Sequence, residues 1–255
     1  MDTSSVRAVI TGGISGLGLA VARNFVAAGG RVALFDINDD KAVAVIAELG
    51  EASTYIRADV TDESEIEAAV KAAAAYCGGI NVLVNCAGVL GPGRVLGRDA
   101  PMPLEVFSKT VQVNLVGSFN VAKAVAAVMC ENETNDEGER GVIISTASIA
   151  AYEGQIGQAA YAASKGGIAA LTLPAAREFA AIGVRVLAIA PGLFATPLLL
   201  NMPQEVQNNL AAMLPFPKRF GKPEEFAALV LHMAGNPVMN GEVVRLDSAL
   251  RMQPR

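Results

Sequence analysis

The stretch Val6-Arg7-Ala8-Val9-Ile10-Thr11-Gly12-Gly13-Ile14-Ser15-Gly16-Leu17-Gly18 decides how this chain folds. Its first half is short, apolar and β-branched, which reads as a buried strand, Val6–Thr11. The glycines that follow allow a tight turn, and Gly16–Ala28 then reads as a helix closed by Gly29-Gly30. A strand, a Gly-rich turn and a helix N-terminus together make an anion site. Glycine lets the backbone approach a pyrophosphate, and the helix end offers free N–H groups and a positive dipole. The spacing is G-x-x-x-G-x-G rather than the strict G-x-G-x-x-G, so Gly12, Ser15, Gly16, Leu17 and Gly18 are the candidate phosphate contacts. Asp36 closes the next strand, Arg31–Phe35, where a carboxylate would grip the adenosine ribose hydroxyls and repel a 2′-phosphate. Gly13, Ile14, Ser15, Ile37 and Asn38 supply no basic side chain for such a phosphate. The expected cofactor is NAD(H) rather than NADP(H).

Outward from this stretch the alternation continues. Further strands are expected at Ser53–Ala58, Asn81–Val84, Gly141–Ser145, Val184–Ala190 and Gly241–Leu246. Helices are expected at Asp39–Leu49, Asp62–Tyr76, Pro103–Glu131 and Gln158–Ala181, with another apolar helical stretch at Phe226–Gly235. This pattern predicts an α/β Rossmann fold, a doubly wound parallel sheet of about seven strands with helices on both faces. No linker or repeat divides residues 1–255, so one domain is expected. The polar run Glu131–Arg140 reads as a solvated loop.

Composition narrows the function. The chain has 255 residues, 52% of them hydrophobic, and 25 glycines. A net charge of −5 argues against nucleic acid as a partner. Cys77, Cys86 and Cys130 show no metal-ligand spacing and read as buried thiols of a reducing compartment. His232 is the single histidine, so neither a Ser-His-Asp triad nor a multi-histidine metal site is expected, and it reads as a core or interface residue. The apolar window Val184–Leu200 is broken by Arg185, Pro191, Gly192 and Pro197, so it forms no membrane span. With Met1–Ser5 leading directly into Val6–Ile10, no signal peptide is expected and a cytoplasmic location is.

Tyr161 and Lys165 lie four residues apart in Ala160-Tyr161-Ala162-Ala163-Ser164-Lys165, on one face of the expected helix. A phenol ionises near pH ~10, and bringing it to neutrality asks for about three units, roughly 4 kcal/mol, from nearby positive charge. Lysine, helped by a second positive charge such as an oxidised nicotinamide, could supply much of it. A lone Tyr-x-x-x-Lys is commonplace on exposed helices; here it follows Ser148, at the end of a strand, and a nucleotide-binding pattern.

These motifs, in this order, resemble the short-chain dehydrogenase/reductase family across essentially the whole chain. They are Thr11–Gly18, Asp59-Val60, Asn85-Cys86-Ala87-Gly88, Asn114, Ser148, Tyr161 with Lys165, and Pro191-Gly192 through Thr196. The resemblance implies a catalytic Ser148–Tyr161–Lys165 centre completed by Asn114, whose carbonyl would hold a proton-relay water. It also implies Asp59 and Val60 beside the adenine, cofactor contacts from Asn85, Ala87, Gly88, Pro191 and Gly192, and Thr196 against the nicotinamide carboxamide. Within the family, Ala147–Gln155, Gly157–Tyr161, Ala190–Leu199, Pro215-Phe216-Pro217 and Asn240–Asp247 look like the type II 3-hydroxyacyl-CoA dehydrogenases, also called type 10 17β-hydroxysteroid dehydrogenases. Two departures stand out: Ser248-Ala249 where relatives usually carry glycine, and the segment Val89–Met102.

The implied reaction is NAD-dependent interconversion of a 3-hydroxyacyl-CoA and its 3-oxoacyl-CoA. An apolar, Pro-punctuated stretch within 193–222 is where a substrate lid would lie, with Ser148, Gln155, Tyr161, Leu193 and Leu199 as substrate contacts. Lys218 and Arg219 could meet a CoA phosphate or simply be solvated. A hydroxysteroid or general secondary-alcohol dehydrogenase remains an alternative, as does an NAD-binding sensor without turnover; Asp36 argues against an NADPH-dependent carrier-protein reductase. The resemblance further implies a homotetramer, with Gln158–Ala181 and the last strand as contact surfaces.

Overall fold

A computed structural model describes residues 1–254, Leu198 through its backbone only. Seven strands form one sheet: β1 (Arg7–Thr11), β2 (Arg31–Asp36), β3 (Ser53–Arg57), β4 (Val82–Asn85), β5 (Gly141–Thr146), β6 (Val184–Pro191) and β7 (Val243–Leu246). Their order is β3-β2-β1-β4-β5-β6-β7, and every pairing is parallel. Strand order reverses between β1 and β4, where Thr11 lies beside Asn85. In an open parallel sheet, the crevice beyond the carboxyl ends at that switch point is where ligands bind.

Among the described residues, nine α-helices accompany the strands: α1 (Gly16–Ala27), α2 (Ala42–Leu49), α3 (Glu63–Cys77), α4 (Leu104–Val111), α5 (Ser118–Met129), α6 (Ala159–Phe179), α7 (Pro197–Leu200), α8 (Gln204–Ala212) and α9 (Pro223–Gly235). Side-chain alternation divides the core between the two faces. Ala8, Ile10, Leu34, Val84, Ile144 and Leu187 face Phe25 of α1 and Phe226, Val230 and Met233 of α9. Val9, Ala33, Leu83, Ile143 and Val186 face Ile66 and Val70 of α3 and Val121, Val125 and Met129 of α5. Because both faces are covered, the strands are continuous apolar runs. Local signals set the helix ends: Asp62 caps α3 through a 2.9 Å bond from the Glu65 amide, and Gly78 closes it at φ 74°.

Three features differ from the sequence reading. The helix expected across Pro103–Glu131 is α4 and α5 joined by a π-helical turn, Gln112–Gly117. By length and composition Leu104–Met129 could cross a membrane, yet its α5 half packs on the sheet. The Glu131–Arg140 loop is not wholly solvated: Glu139 is buried and pairs with Arg185 at 2.7 Å. The same guanidinium donates to the carbonyls of Met233, Ala234, Asn236 and Met239, so the charge that interrupts the apolar window satisfies the C-terminal end of α9. His232 is exposed on α9, 3.3 Å from the Asn236 amide, rather than in a core.

Ser248 and Ala249 adopt φ of 54° and 60°. Non-glycine residues pay about 1–2 kcal/mol for the left-handed region. Ala249→Gly is therefore expected to raise stability by up to about 1 kcal/mol, less what glycine gains in unfolded-state entropy, read as a rise of about 2–4 °C in Tm. A fall in Tm would show that the turn is held without strain.

Candidate active site

Glycines shape the nucleotide cradle at the end of β1. A Cβ on Gly12, whose φ is 62°, would lie 2.9 Å from the Ala87 nitrogen, and one on Gly18 would lie 2.3 Å from the Gly12 carbonyl oxygen. Ser15 precedes α1 in extended conformation without capping it through its side chain, which leaves the first amides of the helix available. Thr11 locks the switch point: its Oγ1 accepts from the amides of Cys86 and Ala87, both at 3.1 Å. Asp36 ends β2 with its carboxylate accepting the Ile37 and Asn38 amides at 2.9 and 3.2 Å. An open helix N-terminus, a backbone cradle without Cβ atoms and a carboxylate at the next strand end fit a dinucleotide.

The remaining expected cofactor positions have different attachments. Asp59 accepts the amide and hydroxyl of Thr61, and the Asn120 amide holds the carbonyl of buried Val60. Pro191 ends β6, the Gly192 amide donates to Leu246 at 2.9 Å, and a Cβ on Gly16 would lie 3.6 Å from Thr196. The first and last motifs of the cradle thus meet. Asn85 differs from the others: its side chain is 2% exposed and donates to the Ser118 carbonyl and Ser145 Oγ, so it ties β4 to β5 and α5 rather than reaching into the crevice.

The Tyr161 group gathers at the ends of β4 and β5. Lys165 is 5% exposed; its Nζ donates to the Thr146 carbonyl at 2.6 Å and lies 5.8 Å from the Tyr161 ring centre. A Cβ on Gly88 would stand 3.2 Å from Asn114 Oδ1 and 3.7 Å from Lys165 Nζ, so Gly88 is the point where these groups converge. Ser148 caps the short turn Ile149–Ala151, its Oγ accepting the Ala150 amide at 3.1 Å. Asn114, fully buried in the π-helical turn, accepts the Val89 amide and donates to the Val89 carbonyl and to Ser164 Oγ. Ser164 in turn donates to the Tyr161 carbonyl. Asn114 thereby joins the β4 loop to the helix carrying Tyr161 and Lys165. A cluster of π-helical backbone at such a place is a recurrent mark of functional sites.

The electrostatics differ from the sequence reading in one respect. Burial lifts the Tyr161 phenol above its ordinary value, with the Ser148 hydroxyl opposing. Burial also pulls the Lys165 ammonium down to about 8, with Cys86 opposing. Lysine alone does not lower the phenol, because the ammonium points to the Thr146 carbonyl and desolvation dominates. Cys86 is pushed up to about 11 by burial, so it stays a thiol.

A depression of about 460 Å³ is lined by Arg94, Val95, Leu96 and Gly154–Ala159 with Ala162; it takes in the expected substrate contact Gln155 but none of Ser148, Tyr161 and Lys165. The divergent segment 89–102 forms one wall, held by the Gly93 amide donating to Gly157 at 2.9 Å. Gln155 lines the depression, its Nε2 donating to the Gln253 carbonyl at 2.9 Å. Leu199 is buried, and Leu193 packs on Ile149, Leu214 and Leu250.

A family model described as short chain dehydrogenase matches residues 7–207. The 3-hydroxyacyl-CoA dehydrogenases type-2 of Rattus norvegicus and Homo sapiens are each 50% identical to this chain over 249 residues, 97% of it and 95% of theirs. The Drosophila melanogaster protein of the same name is 44% identical over 248 residues, 96% of this chain and 97% of its own. A crystal structure of 3-hydroxyacyl-CoA dehydrogenase type-2 from Mycobacterium avium superposes with a TM-score of 0.92 at 40% identity, covering 97% of this chain and 96% of that one. With the cradle at the β1–β4 switch point and the Tyr161 group beside it, these likenesses establish that the chain belongs to the short chain dehydrogenase family of oxidoreductases.

Proposed function

We propose that this protein interconverts 3-hydroxyacyl-CoA and 3-oxoacyl-CoA with NAD(H). Family membership implies a nicotinamide cofactor. The observation that carries the substrate assignment is 50% identity, over nearly the whole length, to proteins named for that activity. A hydroxysteroid is the second reading, since the exposed apolar residues Leu200, Met202, Val206 and Phe216 of the segment proposed as the lid, 193–222, suit a steroid as well as an acyl chain. Consumption of NADH on adding acetoacetyl-CoA, with formation of the hydroxyacyl thioester, tests the first reading directly; no consumption would remove it.

When bound, the nicotinamide donates or accepts a hydride at the substrate carbon. In reduction Tyr161 passes its phenolic proton to the substrate carbonyl oxygen, and in oxidation it takes that proton back. The lifted phenol is protonated at neutral pH, which suits it to the reductive direction. Ser148 holds the reacting oxygen and stabilises the charge that develops on it. Lys165 holds the nicotinamide ribose and keeps positive charge near the phenol. The Asn114 carbonyl accepts the Ser118 hydroxyl at 2.8 Å, and its second lone pair serves the relay water toward Lys165. Gly12, Ser15, Gly16, Leu17 and Gly18 hold the pyrophosphate.

NAD(H) preference rests on Asp36. Arg57 sits beside it in register, within 3.5 Å of Asp39 and 4.0 Å of Glu65. Removing the Asp36 carboxylate would delete charge-assisted bonds to the ribose and the repulsion of a 2′-phosphate. Asp36→Ala is expected to lower the ratio of kcat/KM for NADH over NADPH by about 10–100-fold. An unchanged ratio would place cofactor selection elsewhere. A homotetramer fits the exposed Phe107, Val116, Phe119 and Leu173 on the α4–α5 and α6 surfaces, and the cytoplasm is the proposed location.

A further inference from the structure

The C-terminal tail closes on the wall of the depression around the Glu153 carboxylate. Glu153 accepts both guanidinium arms of Arg245, at 2.9 and 3.2 Å, and the Met252 amide at 3.1 Å. Arg251 approaches the same carboxylate at 3.4 Å. Asp247, 8% exposed, holds the other edge of Arg245 at 2.7 Å and Arg251 at 3.1 Å. The tail so gathered reaches the depression by two backbone carbonyls. Gln253 accepts the Gln155 side-chain amide at 2.9 Å, and Pro254 accepts the Ile156 amide at 3.0 Å. Gln155 and Ile156 both line the depression. The Arg245–Glu153 pair keeps its carboxyl below the usual range, so it is charged at neutral pH.

We propose that Glu153 is a positioning residue for the substrate site, a clasp that folds the C-terminal tail against the 152–156 loop and so fixes the Gln155 amide and the wall of the depression. The Glu153 side chain bonds to Arg245 and Met252 rather than to the cofactor cradle or the Tyr161 group, and the tail it holds fixes Gln155, the expected substrate contact, so its effect falls on substrate affinity. The clasp rests on the acyl-thioester reading for its substrate, while its mechanical part does not. Partner and loop are far apart in sequence, 92 residues for Arg245 and 99 for Met252, so the clasp joins segments that local structure does not hold together.

The test compares wild type, Glu153→Gln, Glu153→Asp and a chain ending at Arg251, by kinetics with NADH and acetoacetyl-CoA, NADH titration, and deuterium exchange. Glu153→Gln is expected to raise KM for the thioester about tenfold, with kcat within about threefold and NADH Kd within about twofold of wild type. Glu153→Asp keeps the charge and is expected to recover to within about threefold of the wild-type KM. The shortened chain should match Glu153→Gln, and the two changes combined should be no worse than either alone, the signature of one coupled device. In exchange, amides of residues 152–158 should lose protection while those of 12–18 keep theirs. Unchanged KM together with unchanged protection at 152–158 would overturn the clasp, as would an equal fall in kcat and NADH affinity. If wild type turns over no thioester, the substrate reading fails on that arm, and the exchange arm alone still decides the clasp.

Discussion

Tyr161→Phe is expected to lower kcat/KM for NADH-dependent reduction by about 10³–10⁴-fold, the range of a lost general acid, while NADH binds as before. The change removes one oxygen. The ring stays in place on α6, and the site keeps the Asn114–Ser164 bonds that set the helix against the β4 loop. What disappears is the hydroxyl proposed to give the substrate oxygen its proton. In free-energy terms the loss is roughly 4–5.5 kcal/mol of transition-state stabilisation. Because burial holds the phenol protonated, the wild-type reductive rate should show no loss of acid function at neutral pH. Rates and a fluorescence titration of NADH check both halves; full activity in the variant would mean that the proton comes from elsewhere.

The second large effect belongs to Lys165. Its ammonium is pulled down to about 8, so it loses its proton above that pH while the lifted phenol keeps its own. The charged form is the working one. Reductive kcat/KM is therefore expected to be level below about pH 8 and to fall about tenfold per unit above it. Lys165→Met should lower the plateau by about 10²–10³-fold and remove that falling limb, because the titrating group is gone. The variant also leaves the Thr146 carbonyl without its 2.6 Å donor, a penalty of about 1–3 kcal/mol that a drop in Tm would report separately. A falling limb that survives in Lys165→Met would assign it to another group.

Much of the fold was legible because its determinants are local. Strands buried on both faces must be apolar throughout, so β1, β2, β4, β5 and β6 stand out as runs, and Asp62 with Gly78 marks α3. Strand starts shift by a residue or two: β1 begins at Arg7, β4 at Val82 and the edge strand β7 at Val243, after Gly241 turns at φ 73°. The candidate site was legible where one short segment carries the chemistry, as in Tyr161 to Lys165 or Gly12 to Gly18. Its supports were not. The π-helical turn depends on packing: a Cβ on Gly117 would lie 2.6 Å from Val60 Cγ2, a contact between segments far apart in the chain. The Thr11 hydroxyl, the Thr146 carbonyl and the Glu139–Arg185 pair work across strands and helices, and no periodicity announces them. The direction of the lysine was hidden for a related reason. Spacing shows that lysine lies near tyrosine, but only the fold shows that the ammonium turns to Thr146 and that desolvation outweighs it.

The most direct test of the central claim is a comparison of kcat/KM for wild type with NADH and acetoacetyl-CoA beside NAD⁺ and a hydroxysteroid. The account predicts that the thioester pair is strongly preferred and that Tyr161→Phe abolishes it. Preference for the steroid, or no turnover of the thioester, would contradict the substrate assignment and leave the fold and the Tyr161 chemistry to be tested on another alcohol.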